Sequence, residues 1–364
     1  MSLFGGTGKL MRIAQVAPLF ESVPPKQYGG TERIVSYLTE ELVRQGHEVT
    51  LFASGDSETR ARLAPITPRS LRLDPDCVDN VAHHVLMVEQ VWKRAADFDV
   101  IHFHCDYLHY PVSRRQRVPH VTTLHGRLDI PDLVPLYREF RDIPVISISD
   151  SQRAPLPWAN WQATVHHGLP PDLYGFRAQA GEYLAFLGRI SPEKRVDRAL
   201  EIALQLGIPL KIAAKVDRVD AEYFDSVVRP VLDEPLVEFV GEIGDGEKAE
   251  FLGNAYACLF PIDWPEPFGL VMIEAMACGT PVIAYRNGSV PEVLDDGRTG
   301  FIVDNLDDAL QAVRRVPELS RRHCRDVFEQ RFTAARMTRD YLEIYERMAD
   351  RARTGVAEAR RYDG

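Results

Sequence analysis

Cysteine is scarce in this sequence, and its spacing argues against two kinds of structural site. The 364 residues include five cysteines, and no Cys-x-x-Cys pair or Cys/His ligand spacing occurs. An odd number of widely separated cysteines is atypical of a disulfide framework or a zinc site. We therefore expect reduced thiols in a cytosolic protein. The five are Cys77, Cys105, Cys258, Cys278 and Cys324.

Long apolar runs and a secretion signal are also lacking. The chain has no run of eighteen apolar residues, about the length that a membrane-spanning helix requires. Its amino terminus does not resemble a signal peptide. The sequence thus predicts a cytoplasmic protein without a transmembrane segment. Residues 1–10 are Gly-rich and precede a second methionine, Met11, so we interpret them as a leader or vector remnant outside the fold.

Positive charge is in the minority. The formal net charge is −10, whereas proteins that bind the phosphate backbone of nucleic acids are usually basic. The charge therefore argues against nucleic acid as the main partner, and the basic clusters at 114–117 and 321–323 are interpreted as solvated surface. No G-x-G-x-x-G fingerprint occurs, which disfavours a dinucleotide-dependent oxidoreductase.

The sequence does contain a regular alternation of short apolar strands with amphipathic helices. It begins with a strand at 12–17, a helix at 31–45 and a strand at 48–53, and it pauses at the turn-rich segment 167–171. Such alternation predicts a parallel sheet covered on both faces. Two sheets in tandem predict an α/β protein of two domains, with a ligand cleft between them. Further strands are expected at 100–103, 120–124, 145–149, 183–187, 209–214, 237–240, 257–261 and 281–285.

The most informative segment is 264–281, where a helix over 270–277 is expected. Pro267 favours a helix start, and Gly279 with Pro281 favours its end. The amides of Gly269, Leu270 and Val271 would then lie in the first turn, where an anion such as phosphate binds. Two glutamates lie in the same segment. Glu266 lies just outside the helix and Glu274 about two turns along it, either facing a ligand hydroxyl or on a solvated stripe.

A second segment with anion-binding character is 188–195, between a buried strand and a helix over 196–205. Ser191, Pro192 and Glu193 are typical of a helix start. Lys194 and Arg195 add positive charge where the helix dipole is already positive, which makes sense if a diphosphate binds there. A solvated loop with surface charges is the alternative.

Two features of the first half also indicate ligand contacts. Gly29 and Gly30 lie between the first strand and the first helix, where glycine permits close approach of a ligand or satisfies a tight loop. His125 follows a strand, at the edge where open α/β sheets contact ligands, although most single histidines are structural. A metal site is disfavoured, because the nearby cluster lies partly along one strand and lacks a second ligand set. That cluster comprises His102, His104, Asp106 and His109.

Taken together, these segments resemble the retaining glycosyltransferases of family 4, which have the GT-B architecture. The resemblance covers Met11 to about Tyr345. Its most specific element is Glu-Pro-Phe-Gly-Leu with a second glutamate eight positions after the first, at Glu266 and Glu274. The opening of the chain is similar to a branch related to antibiotic-pathway glycosyltransferases. The resemblance implies two Rossmann-like domains facing each other across a cleft: an acceptor domain at 11–172, a donor domain at 173–340, and a helix at 341–364 that crosses back.

The resemblance also implies roles for individual residues. Arg189 and Lys194 would hold the donor diphosphate, and Glu274 would bind ribose hydroxyls. Glu266 would face the transferred sugar, and His125 would contact that sugar from the opposite domain. Gly30, beside Gly29, would line the phosphate or acceptor side. The remaining donor contacts would be Ile243 at the base, Phe268, Gly269 and Leu270 at sugar hydroxyls, and Leu270 and Val271 at phosphate.

Two departures from the family pattern affect the donor pocket. Lys215 lies where relatives have a glycine-containing turn, and Ile262 where they tend to have serine. The expected function is metal-independent transfer of a sugar from a UDP- or GDP-sugar to an unidentified acceptor, with retention of anomeric configuration. No cofactor is expected, because the nucleotide sugar is a substrate. The alternative is a nucleotide-sugar epimerase or hydrolase of the same architecture. A nucleotide-sugar-binding protein without catalysis is disfavoured by Arg189, Lys194 and Glu266.

Overall fold

The computed structural model describes residues 9–26 and 29–362, with side chains up to residue 354. Most of the predicted leader and Tyr28 lie outside the described residues. The chain divides into two compact units. The first comprises the described residues up to Ile148, Arg153–His166 and the chain from Ala334, and the second comprises Ser149–Gln152 and His167–Thr333.

These units differ from the predicted domain boundaries by a few residues. The boundary expected after residue 172 falls after His166, because Leu169 pairs with Thr333 and donates its amide proton to the Phe332 carbonyl within the second unit. The chain rejoins the first unit at Ala334 rather than at 341. Arg336 already donates to the carbonyl of His166 there, at 2.7 Å.

Each unit contains one sheet, and every strand pair in both sheets is parallel. The first sheet has seven strands in the order β3-β2-β1-β4-β5-β6-β7, and the second has six in the order β10-β9-β8-β11-β12-β13. The strands are β1 (Arg12–Val16), β2 (Glu48–Ala53), β3 (Arg62–Pro65), β4 (Val100–Phe103), β5 (His120–Thr123), β6 (Val145–Ser147), β7 (Trp161–Thr164), β8 (Tyr183–Ile190), β9 (Leu210–Val216), β10 (Val237–Gly241), β11 (Ala255–Phe260), β12 (Val282–Tyr285) and β13 (Gly300–Val303).

Helices connect most of the strands, as parallel pairing requires. They are α1 (Gly30–Arg44), α2 (Asn80–Lys93), α3 (Tyr110–Ser113), α4 (Leu133–Glu139), α5 (Asp150–Arg153), α6 (Val196–Leu206), α7 (Ala221–Tyr223), α8 (Asp245–Gly253), α9 (Leu270–Cys278), α10 (Val290–Val293), α11 (Leu306–Arg315), α12 (Arg321–Arg331) and α13 (Ala334–Tyr362). Single turns of 3₁₀ or π helix occur at Leu71–Leu73, Ala95–Asp97, Pro192–Lys194, Arg218–Asp220, Phe224–Val228, Arg229–Val231 and Val316–Glu318.

The cores form where strands and helices bury their apolar sides. In the second unit the aliphatic side chains of β8 and β9 pack with α6 and α11, for example Leu184, Ile212, Ile202 and Val313. In the first unit, Val88 and Trp92 of α2 pack in one cluster with strand residues such as Phe103. The two parallel sheets with helices confirm the predicted α/β fold.

Two further predictions can be compared with the structure. All five cysteines are free thiols, and all but the half-buried Cys77 are buried. Within the described residues, none of the helices has an apolar stretch long enough to cross a bilayer.

Candidate active site

The strand order of the second sheet places one pair of loops at a favourable position for a ligand. The central strand β8 has β9 on one side and β11 on the other, so the order reverses there. In open parallel sheets, ligands bind beyond the carboxyl ends of the strands at such a reversal. Arg189 lies at the end of β8 and Lys194 just after it, while Glu266 lies in the segment after β11. The two motifs found in the sequence therefore meet at one edge of one sheet.

Lys194 and Glu266 form an ion pair at this edge. The Lys194 ammonium contacts the Glu266 carboxylate, and the two side chains are only 18% and 11% exposed. Trp264 donates its indole N–H to the same carboxylate at 3.0 Å, and the ammonium lies 4.8 Å from the centre of the Trp264 ring. The partly dry position strengthens the interaction of the ammonium with any charged partner, and the single carboxylate of Glu266 offsets part of its charge.

Arg189 has a more acidic environment. Its guanidinium contacts Glu193, and it lies 3.8 Å from Asp217 and 3.6 Å from Asp220. Lys215 occupies the paired position on β9 and contacts Asp217 at 3.0 Å. β9 continues through Lys215 to Val216, where the family pattern predicts a glycine-containing turn. A diphosphate bound by Arg189 would therefore compete with carboxylates already in place.

The helix predicted over 196–205 is confirmed as α6, whereas the helix-start signal at Ser191 lies outside it. Pro192–Lys194 form a single 3₁₀ turn, and α6 begins only at Val196, because Arg195 adopts a left-handed conformation with φ of 54°. The Arg195 side chain contacts Asp197 and Asp263, each at 2.8 Å. Its charge is thus compensated within the protein and is not directed toward a diphosphate as predicted.

Helix α9 has the predicted position. It begins at Leu270, after Gly269 with φ of 79°. The amides of Leu270 and Val271 lie in the first turn, where backbone N–H groups have no intrahelical acceptor. Pro267 lies three residues before the helix and not at its first position. Phe268 is buried against the His167 ring at 4.8 Å, and Ser289 donates to its carbonyl at 2.8 Å. The segment before the helix is therefore held firmly.

Glu274 is not on a solvated stripe, which excludes one of the two interpretations left open by the sequence. Its side chain is 2% exposed. It accepts hydrogen bonds from Lys248 at 2.9 Å and from the Tyr174 hydroxyl at 3.1 Å. Lys248 and Tyr174 were not predicted. Helix α8 places Lys248 one turn from its start, but nothing in the spacing between residues 248 and 274 signals the contact.

The last donor residue predicted from the resemblance is Ile243. It is half-buried and lies in the loop between β10 and α8. That loop follows the carboxyl end of an edge strand of the second sheet.

Gly29 and Gly30 lie at the start of α1 in the first unit. Gly30 is the first helical residue, and Gly29 precedes it with an extended backbone. A Cβ at Gly29 would lie 2.8 Å from Cβ of Pro25, so close packing alone requires glycine there. Packing therefore explains the glycine at position 29. The ligand contact of Gly29 and Gly30 stays a prediction.

His125 lies just beyond the carboxyl end of β5, as predicted. Its Nε2 is 2.9 Å from Nδ1 of His104. Burial lowers the pKa of His125 to about 3, so the ring is neutral at physiological pH. A neutral imidazole offers one donor and one acceptor nitrogen, which suits hydrogen bonding to a hydroxyl.

The neighbouring histidines are occupied by protein groups. His102 bonds to Tyr345 and Thr123, at 2.6 and 2.8 Å. His109 bonds to Ser113 and Thr122, at 2.6 and 2.7 Å. Among the described residues, no group of three or more acidic, histidine or cysteine side chains is arranged to hold a metal ion.

Comparison with known proteins identifies the family. The model of the family described as "Glycosyl transferases group 1" matches residues 177–327, and that of "Glycosyltransferase Family 4" matches residues 28–162. A phosphatidyl-myo-inositol mannosyltransferase of Mycobacterium leprae is 26% identical over 365 residues, which cover 89% of this chain and 91% of that protein.

Solved structures agree with this assignment. AviGT4, a glycosyltransferase involved in avilamycin A biosynthesis, superimposes with a TM-score of 0.73 and 25% identity, covering 93% of this chain and 98% of that one. HepE of Anabaena, solved in complex with UDP-glucose, has a TM-score of 0.70 and 17% identity, covering 93% of this chain and 100% of that one; at this identity the likeness concerns the fold alone. The two family models fall on the two sheets in turn, and the chain belongs to the family 4, group 1 glycosyltransferases.

Proposed function

We propose that this glycosyltransferase moves a sugar from a nucleotide-sugar donor to an acceptor with retention of anomeric configuration. The observation that carries the proposal is the partly buried contact of Lys194 with Glu266 at the reversal of the second sheet. It joins the two most specific motifs of the sequence at the position where a parallel sheet binds its ligand. Positive charge and a carboxylate lie side by side there, as a leaving diphosphate and a sugar require.

The leaving diphosphate is assigned to Lys194, Arg189 and the first amides of α9. Negative charge grows on the diphosphate as the bond to the sugar breaks, and positive groups fixed beforehand stabilise that change. The amides of Leu270 and Val271 point out of the helix start and add the positive end of its dipole. Lys215, beside Arg189 on β9, is a further phosphate contact in this proposal.

Glu266 is assigned to the transferred sugar and Glu274 to the ribose. Because Glu266 touches Lys194, it lies on the side of the leaving group. A nucleophile for a covalent intermediate must attack from the opposite side, so we favour attack by the acceptor on the same face. Departing phosphate oxygen then takes the acceptor proton. Glu266 orients hydroxyls and stabilises positive charge on the sugar.

The transfer is proposed to be independent of metal ions. Arg189, Lys194 and the helix amides supply the positive charge that a bound cation would otherwise provide at the diphosphate. Transfer in the presence of excess chelator should proceed at the normal rate. A strict requirement for added magnesium or manganese would contradict this part of the proposal.

The donor is proposed to be a UDP- or GDP-sugar, and the names of the relatives suggest which to try first. One structural neighbour was solved with UDP-glucose, and one relative is named phosphatidyl-myo-inositol mannosyltransferase. UDP-glucose and GDP-mannose are therefore the first donors, and inositol-containing lipids are the first acceptors. Ile243 is assigned to the base in either case.

A thermal-shift panel of nucleotide sugars tests the proposal. A ligand that binds only the folded state at a hundred times its Kd adds about 2.7 kcal/mol of stability. Lys194→Met should remove most of the shift. Lys211→Met is the matched control, because Lys211 also pairs with a glutamate, Glu238, and lies 4.9 Å from an aromatic ring, that of Tyr183. Donor turnover that is no faster with any acceptor than in water alone would favour the epimerase or hydrolase alternative.

A further inference from the structure

A continuous chain of hydrogen bonds runs from His125 through the first unit to α13. His125 contacts His104 at 2.9 Å, and His104 Nε2 is 2.8 Å from Oε1 of Gln15. Gln15 donates from Nε2 to the Tyr345 hydroxyl at 3.1 Å. We call the set formed by His125, His104, Gln15, Tyr345, His102, Thr123 and Tyr341 the histidine chain.

The Gln15 amide gives this chain a direction. With the amide oriented so that Oε1 faces His104, this oxygen can only accept, so Nε2 of His104 carries a proton and donates to it. His104 is only 2% exposed, and burial favours the neutral form of its ring. A neutral ring has one N–H, so Nδ1 of His104 accepts. The donor across that contact must then be Nε2 of His125.

The other half of the chain is consistent with the same direction. The Tyr345 hydroxyl accepts from Gln15 and gives its own proton to Nδ1 of His102, at 2.6 Å. Nε2 of His102 then donates to Thr123 at 2.8 Å, and the Thr123 hydroxyl is 3.0 Å from that of Tyr341. Each group in turn accepts one hydrogen bond and donates one.

We infer that His104 and Gln15 are positioning residues that fix His125 as the tautomer with its proton on Nε2, leaving Nδ1 as a hydrogen-bond acceptor. The inference rests on the proposed function for its purpose, since a ring nitrogen that accepts a hydrogen bond can bind a hydroxyl group of a substrate. Gln15 and His102 lie at paired positions of β1 and β4, so the central strands of the sheet hold the chain in register.

Burial explains why the chain is suited to this task. Gln15, His102 and Tyr345 are all 0% exposed. Leaving a buried polar group without a hydrogen bond costs about 1–3 kcal/mol of stability. The arrangement in which every N–H and O–H of the chain donates a hydrogen bond is therefore favoured. The tautomer of His125 is thereby coupled to residues of α13, more than 200 positions away in the sequence.

Nitrogen NMR of the free protein tests the inference. In protein labelled with ¹⁵N-histidine, proton correlation distinguishes the protonated from the bare ring nitrogen, and the His125 signals are those lost in His125→Asn. We expect the proton on Nε2. In Gln15→Leu, which removes the acceptor for His104, we expect a mixture of both tautomers at His125. A proton on Nδ1 in the wild type, or an unchanged His125 spectrum in Gln15→Leu, would overturn the inference.

His109→Phe is the control for loss of a buried histidine. His109 is equally buried and makes two hydrogen bonds outside the histidine chain. This variant should lose stability but keep the His125 tautomer and the turnover number. Gln15→Leu should lower kcat in proportion to the fraction of His125 that leaves the Nε2-protonated tautomer, about twofold for an even mixture. The tautomer is measured without substrate, so this inference is tested independently of the proposed glycosyl transfer.

Discussion

Lys194 and Arg189 carry the same charge but have different neighbours in the second unit. Lys194 contacts one carboxylate and two aromatic rings, Trp264 and Phe260. Arg189 lies among three carboxylates, those of Glu193, Asp217 and Asp220. Since the three acids already balance much of its charge, Arg189 should contribute less to binding a diphosphate than Lys194 does.

The first prediction concerns these two cations. Lys194→Met should lower kcat/KM roughly 30- to 1000-fold, which corresponds to a loss of about 2–4 kcal/mol of transition-state stabilisation. The reason is that the substitution removes a fixed positive charge beside the leaving group. Arg189→Met should have a smaller effect in the same direction. Steady-state kinetics measure both, and the melting temperature reports on the fold. Lys211→Met should behave like the wild type. Normal turnover in Lys194→Met would contradict the role of Lys194 in binding the leaving group.

The second prediction separates the two glutamates. Glu266→Gln keeps the shape and removes the charge beside the sugar, so kcat should fall while activity stays measurable. Glu274→Gln should mainly raise the KM for the donor, because its partners Lys248 and Tyr174 hold it for binding. A sugar trapped covalently on Glu266 would contradict the same-face mechanism.

The residues that the sequence predicted differ from those it missed in how their contacts arise. Glu266, Lys194 and Gly269 lie in loops and helix starts, where sequence signals such as glycine and proline act locally. The contacts of Lys248 and Tyr174 with Glu274 join positions 26 and 100 residues apart. Such contacts depend on how α8 and the segment near Tyr174 pack on α9, which no local pattern records.

Among the elements, the sequence predicted central strands better than edge strands. The boundaries of β2 and β4 agree with the prediction at both ends, and their side chains are almost all buried. β3, β7 and β13 were missed, and all three are edge strands. β3 ends in a proline and β7 is half-buried throughout, so neither shows the apolar run that identifies an internal strand.

A third prediction tests how α12 is attached. Arg325 is buried and donates to the carbonyls of Tyr174, Ala277 and Pro171, at 2.6–2.7 Å. Arg325→Met would leave these carbonyls without that donor, which should lower the free energy of unfolding by about 2–5 kcal/mol. Calorimetry or urea unfolding measures the change.

The matched control for Arg325 lies on the same helix. The side chain of Arg322 is 62% exposed and contacts only the nearby Asp326 among the ion pairs of the described residues. Arg322→Met should change stability by about 0.5 kcal/mol or less. Equal effects of the two substitutions would show that helix propensity, and not the buried hydrogen bonds, determines the loss.

At the scale of the molecule, buried neutral histidines should make stability depend on pH. Burial holds the pKa of His125 at about 3 and lowers the pKa values of His84 and His120. In the unfolded chain these rings titrate near 6.5. Below that pH the histidines of the unfolded chain are protonated, whereas the same rings in the native protein stay neutral. Their contribution to stability is therefore complete above about pH 6.5 and is lost as the pH falls toward the native pKa values.

The fourth prediction follows from that sign. The melting temperature should be constant above about pH 7 and should fall below pH 6.5, with each such ring contributing up to about 1.4 kcal/mol per pH unit. His84→Gln should make the fall shallower. His83→Gln, on the same helix but half-exposed, should not. A melting temperature that rises on acidification from pH 6.5 to 5 would contradict this account.

The two-unit organisation was predictable because each sheet repeats the same alternation of strands and helices. The boundaries were not, since they depend on pairs such as Leu169 with Thr333, whose members lie far apart in sequence. The return of α13 to the first unit came from the resemblance. The hydrogen bonds of Tyr341 and Tyr345 with His102 and Thr123, which attach it there, have no signature in the sequence.

A proton NMR time course of donor turnover tests the central claim most directly. The protein is mixed with a nucleotide sugar from the thermal-shift panel, with acceptor or with water as slow acceptor, in excess chelator. The account predicts release of nucleoside diphosphate and a first product whose anomeric proton has the configuration of the donor. A first product with the inverted configuration, read before mutarotation, would contradict it.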